Sequence, residues 1–180
     1  MLASQQVRLF VNRQDWGAAA KAAKRRVEMP GGRKANNLQH LVELYLRGGK
    51  LEKSLPWIAE WKKVSPGSLM PWFNESSILS RLGKLDESIN SLRLAAQKFP
   101  KDMDLHSRLG DRYIENGQYA DAERVYWRQY EESEKLTDKL RWAEQLADVA
   151  EDTGETEELI TRFQEPVSYT HLTLPTKRIV

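Results

Sequence analysis

The residue types that do chemistry are sparse in this chain and poorly spaced for it. Outside the last fifteen residues the imidazoles are His40 and His106, 66 positions apart, so no pair falls at metal-ligand or acid–base spacing. Cysteine is absent, which removes thiol nucleophiles, disulfides and cysteine-type zinc sites. No Gly-Lys-Ser/Thr phosphate loop, His-Glu-x-x-His or Gly-x-Ser-x-Gly occurs. Pro30-Gly31-Gly32 reads as a break between helical pairs, and Glu131-Glu132, Glu151-Asp152 and Glu157-Glu158 as solvated faces. The expectation is no catalytic residue, no metal and no cofactor, which leaves binding through surface side chains.

The elements that position such side chains announce themselves by a repeat. Leu51, Leu85 and Tyr119 are 34 residues apart, as are Gly49, Gly83 and Gly117, and Ser54, Ser88 and Ala122. A fixed period of this length means stacked helical hairpins. Within Trp72–Pro100, the residues Trp72, Ser76 and Leu79 fall at helical spacing, and so do Ser88, Leu92 and Ala95. Between them Gly83 can adopt the left-handed backbone that ends a helix, and Pro100 stops the second one. The small residues Ser54, Ser76, Ser88, Gly110 and Ala122 mark where two helices approach closely.

Leu109-Gly110…Tyr113…Gly117-Gln118-Tyr119…Ala122…Tyr126 closely resembles the consensus of the tetratricopeptide (TPR) repeats, with Trp72 and Pro100 in the signature Trp and Pro columns. Three units in register cover about 32–133. The turn-like stretches Arg13–Ala19 and Glu151–Leu159 add a looser unit on each side. The resemblance implies an all-α superhelix of about five hairpins and no β-sheet. Their expected ranges are about 2–30, 33–66, 67–100, 101–135 and 136–165. Gly154 follows Gly117 by 37 residues rather than 34, so the helix starting at Tyr119, or the connection after it, is expected to be longer.

From Val167 to Thr176 the sequence loses helical period and charge. Those ten residues match, without a mismatch, the translation of a transposon-based sequencing adapter. Residues 166–180 are therefore expected to be non-native and unstructured, with the natural protein continuing beyond Glu165 and Met1 a candidate internal methionine. Without the tail the formal charge of +2 becomes 0, so the basicity is no argument for nucleic acid. A segregation survives: residues 1–66 carry 13 Lys/Arg against 5 Asp/Glu, and residues 67–166 carry 13 against 21. Such a gradient either steers a charged partner or is simply solvated. No signal peptide and no membrane-spanning run is visible.

Lys21-Ala22-Ala23-Lys24-Arg25-Arg26 is the one basic cluster; Ala19, Ala22, Ala23 and Val27 would face inward and the cations water. Trp61 and Trp72 fall in core columns and Trp57, Trp127 and Trp142 on or beside packed faces, so each is expected to pack in a core.

The resemblance also implies a binding face. In similar proteins the first helix of each hairpin lines a concave groove that holds an extended peptide or a partner helix. The corresponding columns are Asn36, Gln39, His40, Glu43 and Arg47, then Met70, Phe73, Asn74, Ser77 and Arg81. Asp104, Ser107, Arg108, Asp111 and Glu115 follow, and then Glu144, Gln145, Asp148 and Asp152. Phe73 either anchors a ligand side chain beside the Asn74 amide or is covered by a neighbouring helix. Acidic residues in these columns disfavour a carboxylate clamp and RNA. The implied function is a non-catalytic protein–protein scaffold or adaptor, with no nucleic acid or membrane partner. The alternative is a regulatory or substrate-docking segment of a larger enzyme.

Overall fold

The structure is a computed structural model that describes residues 2–164, and the adapter-like segment lies outside them. Ten helices follow one another: α1 (Leu2–Asn12), α2 (Trp16–Glu28), α3 (Ala35–Arg47), α4 (Leu51–Val64), α5 (Met70–Arg81), α6 (Leu85–Lys98), α7 (Met103–Glu115), α8 (Tyr119–Glu132), α9 (Leu136–Thr153) and α10 (Thr156–Gln164). Among the described residues there is no strand, as the repeat predicts.

Each tight turn repeats one hydrogen-bond pattern. After α5, the amide of Lys84 donates to the Leu79 carbonyl (2.9 Å) and that of Gly83 to Ser80 (2.8 Å), closing the helix with Gly83 at φ +72°. The equivalent bonds are Lys50 to Tyr45 and Gln118 to Tyr113, both 2.8 Å. After α1 the same geometry closes through Asp15 to Phe10 (2.9 Å), but the left-handed residue there is Gln14, at φ +56°. A side chain in that conformation is strained by about 1–2 kcal/mol.

The chain forms two compact units, one up to Gln118 and the other from Tyr119. In the first, successive helices from α1 to α7 pack against one another. Val7, Ala19, Ala23, Val27, Leu38 and Leu41 are buried together with Trp61, and Val42, Ile58 and Ile78 form a second core cluster. The small residues act as the repeat implies. Ser76 and Ser88 are buried where α5 meets α6, their hydroxyls 2.7 Å apart, with Ser88 Oγ 2.9 Å from the Ser76 carbonyl. Each hydroxyl thereby meets a partner inside an otherwise dry contact.

In the second unit α8 packs on α9, and α10 rests on α9 without a single buried residue. Tyr126 stacks on the fully buried Trp142, ring centres 5.9 Å apart. Phe163 completes an aromatic cluster with Trp127 and Tyr130, at 4.9 and 5.3 Å. The wider spacing before Gly154 is located in α9. That helix runs 18 residues, whereas α8 keeps the 14 residues of α4 and α6 and only Ser133–Lys135 connects it to α9. The expectation of a longer α8 or a longer connection is corrected accordingly.

Two packing expectations are also corrected. Trp72 is only half-buried, because the Lys62 ammonium lies 3.5 Å from its ring centre and takes the place of an apolar cover. In the basic cluster, Ala19, Ala22, Ala23 and Val27 are buried as predicted, but Arg26 is half-buried instead of solvated, since its guanidinium turns onto α3.

Candidate functional site

On α3 the polar positions Asn36, Gln39, His40, Glu43 and Arg47 form a stripe beside the buried Leu38, Leu41, Val42 and Leu44. The stripe is internally connected. Gln39 Nε2 donates to Glu43 Oε1 at 2.9 Å. Arg47 lies over the Trp16 ring at 5.4 Å. The Arg26 guanidinium approaches His40 Nδ1 at 3.2 Å, and since arginine has only donors, Nδ1 accepts. Burial, then the Arg26 charge, lower the His40 pKa; Glu43 opposes the shift and Arg47 adds to it.

On α5, Met70, Ser77 and Arg81 are exposed, while Phe73 and Asn74 are half-buried. Asn74 Nδ2 donates to the Met70 carbonyl of its own helix at 2.8 Å, which removes one of the amide's two donors from service to a ligand. The Phe73 ring is covered from α7: the Arg108 guanidinium carbon sits 4.5 Å from its centre. One contact over the ring is thus a movable cation. α5 and α7 are joined again by Ser80 Oγ donating to Glu115 Oε1 at 2.7 Å, and Glu115 also pairs with Arg112. On α7 itself, Asp104, Arg108 and Asp111 are exposed and Ser107 is half-buried.

The structure therefore brings Phe73 and Arg108 together, and Gln39 with Glu43. Asn36, Ser77 and Arg81 are exposed and make no hydrogen bond or ion pair among the described residues. Glu144, Gln145, Asp148 and Asp152 lie on α9 in the second unit, Gln145 half-buried and the other three exposed. Among the described residues no three His, Asp or Glu side chains gather to hold a metal, and no helix is long and apolar enough to cross a membrane.

One cluster has no counterpart in the sequence reading. Glu75 of α5 pairs with Lys62 of α4 and accepts from Ser91 of α6, with Lys62 also over Trp72 and Lys98 5.8 Å from the same ring. Burial lowers the Lys62 pKa and Lys98 adds to that, against the pull of Glu75. The contributors come from three different helices, and no short motif encodes such a meeting.

No protein-family model matches the sequence, and no curated protein is recognisably similar to it. Solved structures are more telling. The crystal structure of MamA superposes with a TM-score of 0.63 over 90% of this chain and 86% of its own, at 16% identity. A tetratricopeptide repeat protein from Parabacteroides merdae matches with a TM-score of 0.61 over 89% of this chain and 63% of its own, at 19% identity. The fold is that of the TPR proteins. TTC0263, a TPR protein of Thermus thermophilus, matches too, with a TM-score of 0.52 over 78% of this chain and 77% of its own, at 20% identity. At these identities the likeness establishes the fold.

Proposed function

We propose that this TPR chain is a non-catalytic interaction scaffold that holds a peptide or partner helix against the face built by α3, α5 and α7. The observation that carries the reading is the Phe73–Arg108 pair. An aromatic ring with a flexible guanidinium over it gains anchor surface once that cation swings onto a ligand carboxylate or carbonyl. Around it, Ser77 and Arg81 are exposed and without partners among the described residues, and Asp104 and Asp111 are exposed. The mixture of signs suits a partner of mixed charge over a uniformly charged polymer. No nucleic acid, membrane or cofactor enters the proposal.

The test is capture from a peptide-display library on immobilised protein, comparing wild type with Phe73→Ala plus Asn74→Ala. Loss of the enriched sequences in the double variant is expected, with helicity by circular dichroism unchanged. Equal recovery by both proteins overturns the α3–α5–α7 face.

A further inference from the structure

A cavity of about 200 Å³ opens where α2 meets the end of α3 and the start of α4, and Arg47 of the α3 stripe lies over the Trp16 ring that walls it. Trp16, Leu44 and Tyr45 supply its apolar wall. Lys21, Lys24, Lys50 and Lys53 surround it, and no carboxylate lines it. Several surface cations are neutralised locally, as in Lys63–Glu60, Lys84–Glu87 and Arg128–Glu132, while others such as Arg81 are not. Here Lys24 has Glu28 at 3.6 Å, but Lys21, Lys50 and Lys53 make no ion pair among the described residues.

Two of its lining residues, Gly17 and Gly48, carry no side chain. Gly48 brings the α3–α4 turn so close to Trp16 that a Cβ there would meet Trp16 Cβ at 3.1 Å. A Cβ on Gly17 would meet only Asp15 Oδ1, at an ordinary contact distance of 3.6 Å, so a side chain fits there without a clash. About 150 Å³ of apolar cavity accommodates a benzene ring, so this one admits a single aromatic side chain.

We infer that this cavity is a second docking site, which takes an acidic peptide segment through one aromatic side chain. The anchor ring enters against Trp16 and Tyr45, and carboxylates on either side of it face the unpaired lysines. Charge complementarity selects the acidic flanks. The shape selects a peptide over nucleic acid, because four lysines encircle one hollow and do not track along a backbone-length groove. Neither Phe73 nor Arg108 lines the site.

The test titrates the full chain with capped Glu-Glu-Phe-Glu-Glu at low salt, following indole and backbone amide NMR signals. Shifts are expected at the Trp16 indole and at the Gly17 and Gly48 amides. Glu-Glu-Ala-Glu-Glu should bind about tenfold or more weakly, and Lys-Lys-Phe-Lys-Lys not at all. Lys21→Glu plus Lys53→Glu, and separately Gly17→Met, which plugs the hollow at a helical position, should each abolish the shifts while thermal melting shows a folded chain. Phe73→Ala should leave them unchanged. The proposal is overturned if the Trp16 signals do not move, if the Lys-flanked peptide or a single-stranded oligonucleotide moves them equally, if either cavity variant binds like wild type, or if Phe73→Ala abolishes binding.

Discussion

The Arg108 guanidinium of α7 lies 4.5 Å from the centre of the Phe73 ring of α5, a cation–aromatic contact between the two helices. Such a contact is worth about 0.5–1 kcal/mol at an exposed site. Arg108→Ala should therefore lower the urea midpoint only slightly, by about that amount, and leave the Phe73 ring exposed. Arg108→Lys should recover little, since the ammonium lacks the planar face that stacks. Equilibrium urea unfolding of both variants checks this. A loss several times larger would mean that the pair is part of the core.

The repeated turn offers a matched pair of backbone tests. Gly83 is at φ +72° with nothing within 4 Å of an added Cβ, so Gly83→Ala meets conformational strain and no clash. It should destabilise by about 1–2 kcal/mol. Gln14→Gly, at the one left-handed position among the described residues that carries a side chain, should act in the opposite direction by up to about 1 kcal/mol. Thermal melts of the two variants would read opposite signs, and like signs would contradict the shared turn geometry.

Glu75 ties three helices, by an ion pair to Lys62 of α4 and a hydrogen bond from Ser91 of α6. Glu75→Gln keeps its shape but leaves the largely buried Lys62 without a counter-ion, and should cost about 1–3 kcal/mol. Because burial already lowers the Lys62 pKa and Glu75 resists that, the variant's Lys62 should lose its proton at lower pH than in wild type. Urea unfolding, with NMR titration of the Lys62 side chain, measures both.

His40 makes stability depend on pH. Its folded pKa is lowered from 6.5, first by burial and then by Arg26, while the unfolded chain takes up a proton near the usual value. Below that value the unfolded state binds more protons than the folded one, so the contribution is whole above 6.5 and is lost as pH falls through and beneath it. Melting temperature should thus fall more between about pH 7 and about pH 5 in wild type than in His40→Gln. Identical profiles would remove His40 as the cause.

Helix α10 has no buried residue, and Ile160 and Phe163 remain 51% and 37% exposed. Its amides should exchange with deuterium well before those of α3, which carries Leu38, Leu41, Val42 and Leu44 in the core. Hydrogen-exchange mass spectrometry decides it. Protection of α10 equal to that of α3 would refute the argument.

Legibility in the residues divides along a physical line. Gly83 is readable as a turn because only glycine takes a left-handed backbone freely, and Ser76 and Ser88 as a close approach because small residues recur at helical spacing. Gln14 shows the limit: it adopts the same turn with a residue that gives no such signal. For Phe73 the sequence allows both a ligand anchor and a covered ring, and the structure covers it with a side chain 35 positions away. Arg26 looks like its solvated neighbours in the basic cluster, and only the meeting of α2 with α3 sets it apart.

The helices, their turns, the 34-residue register and the absence of thiol chemistry are written in the residue order. They follow from backbone preference and from the periodic burial of apolar side chains, which are local properties. Which long cations find partners is settled only by packing: Arg108 on Phe73, Lys62 on Glu75 and Trp72, and Lys21, Lys50 and Lys53 in no ion pair among the described residues. Lysine and arginine reach several ångströms from their own helix on flexible stems, so their contacts depend on the rotation and spacing of neighbouring helices, which no local pattern specifies.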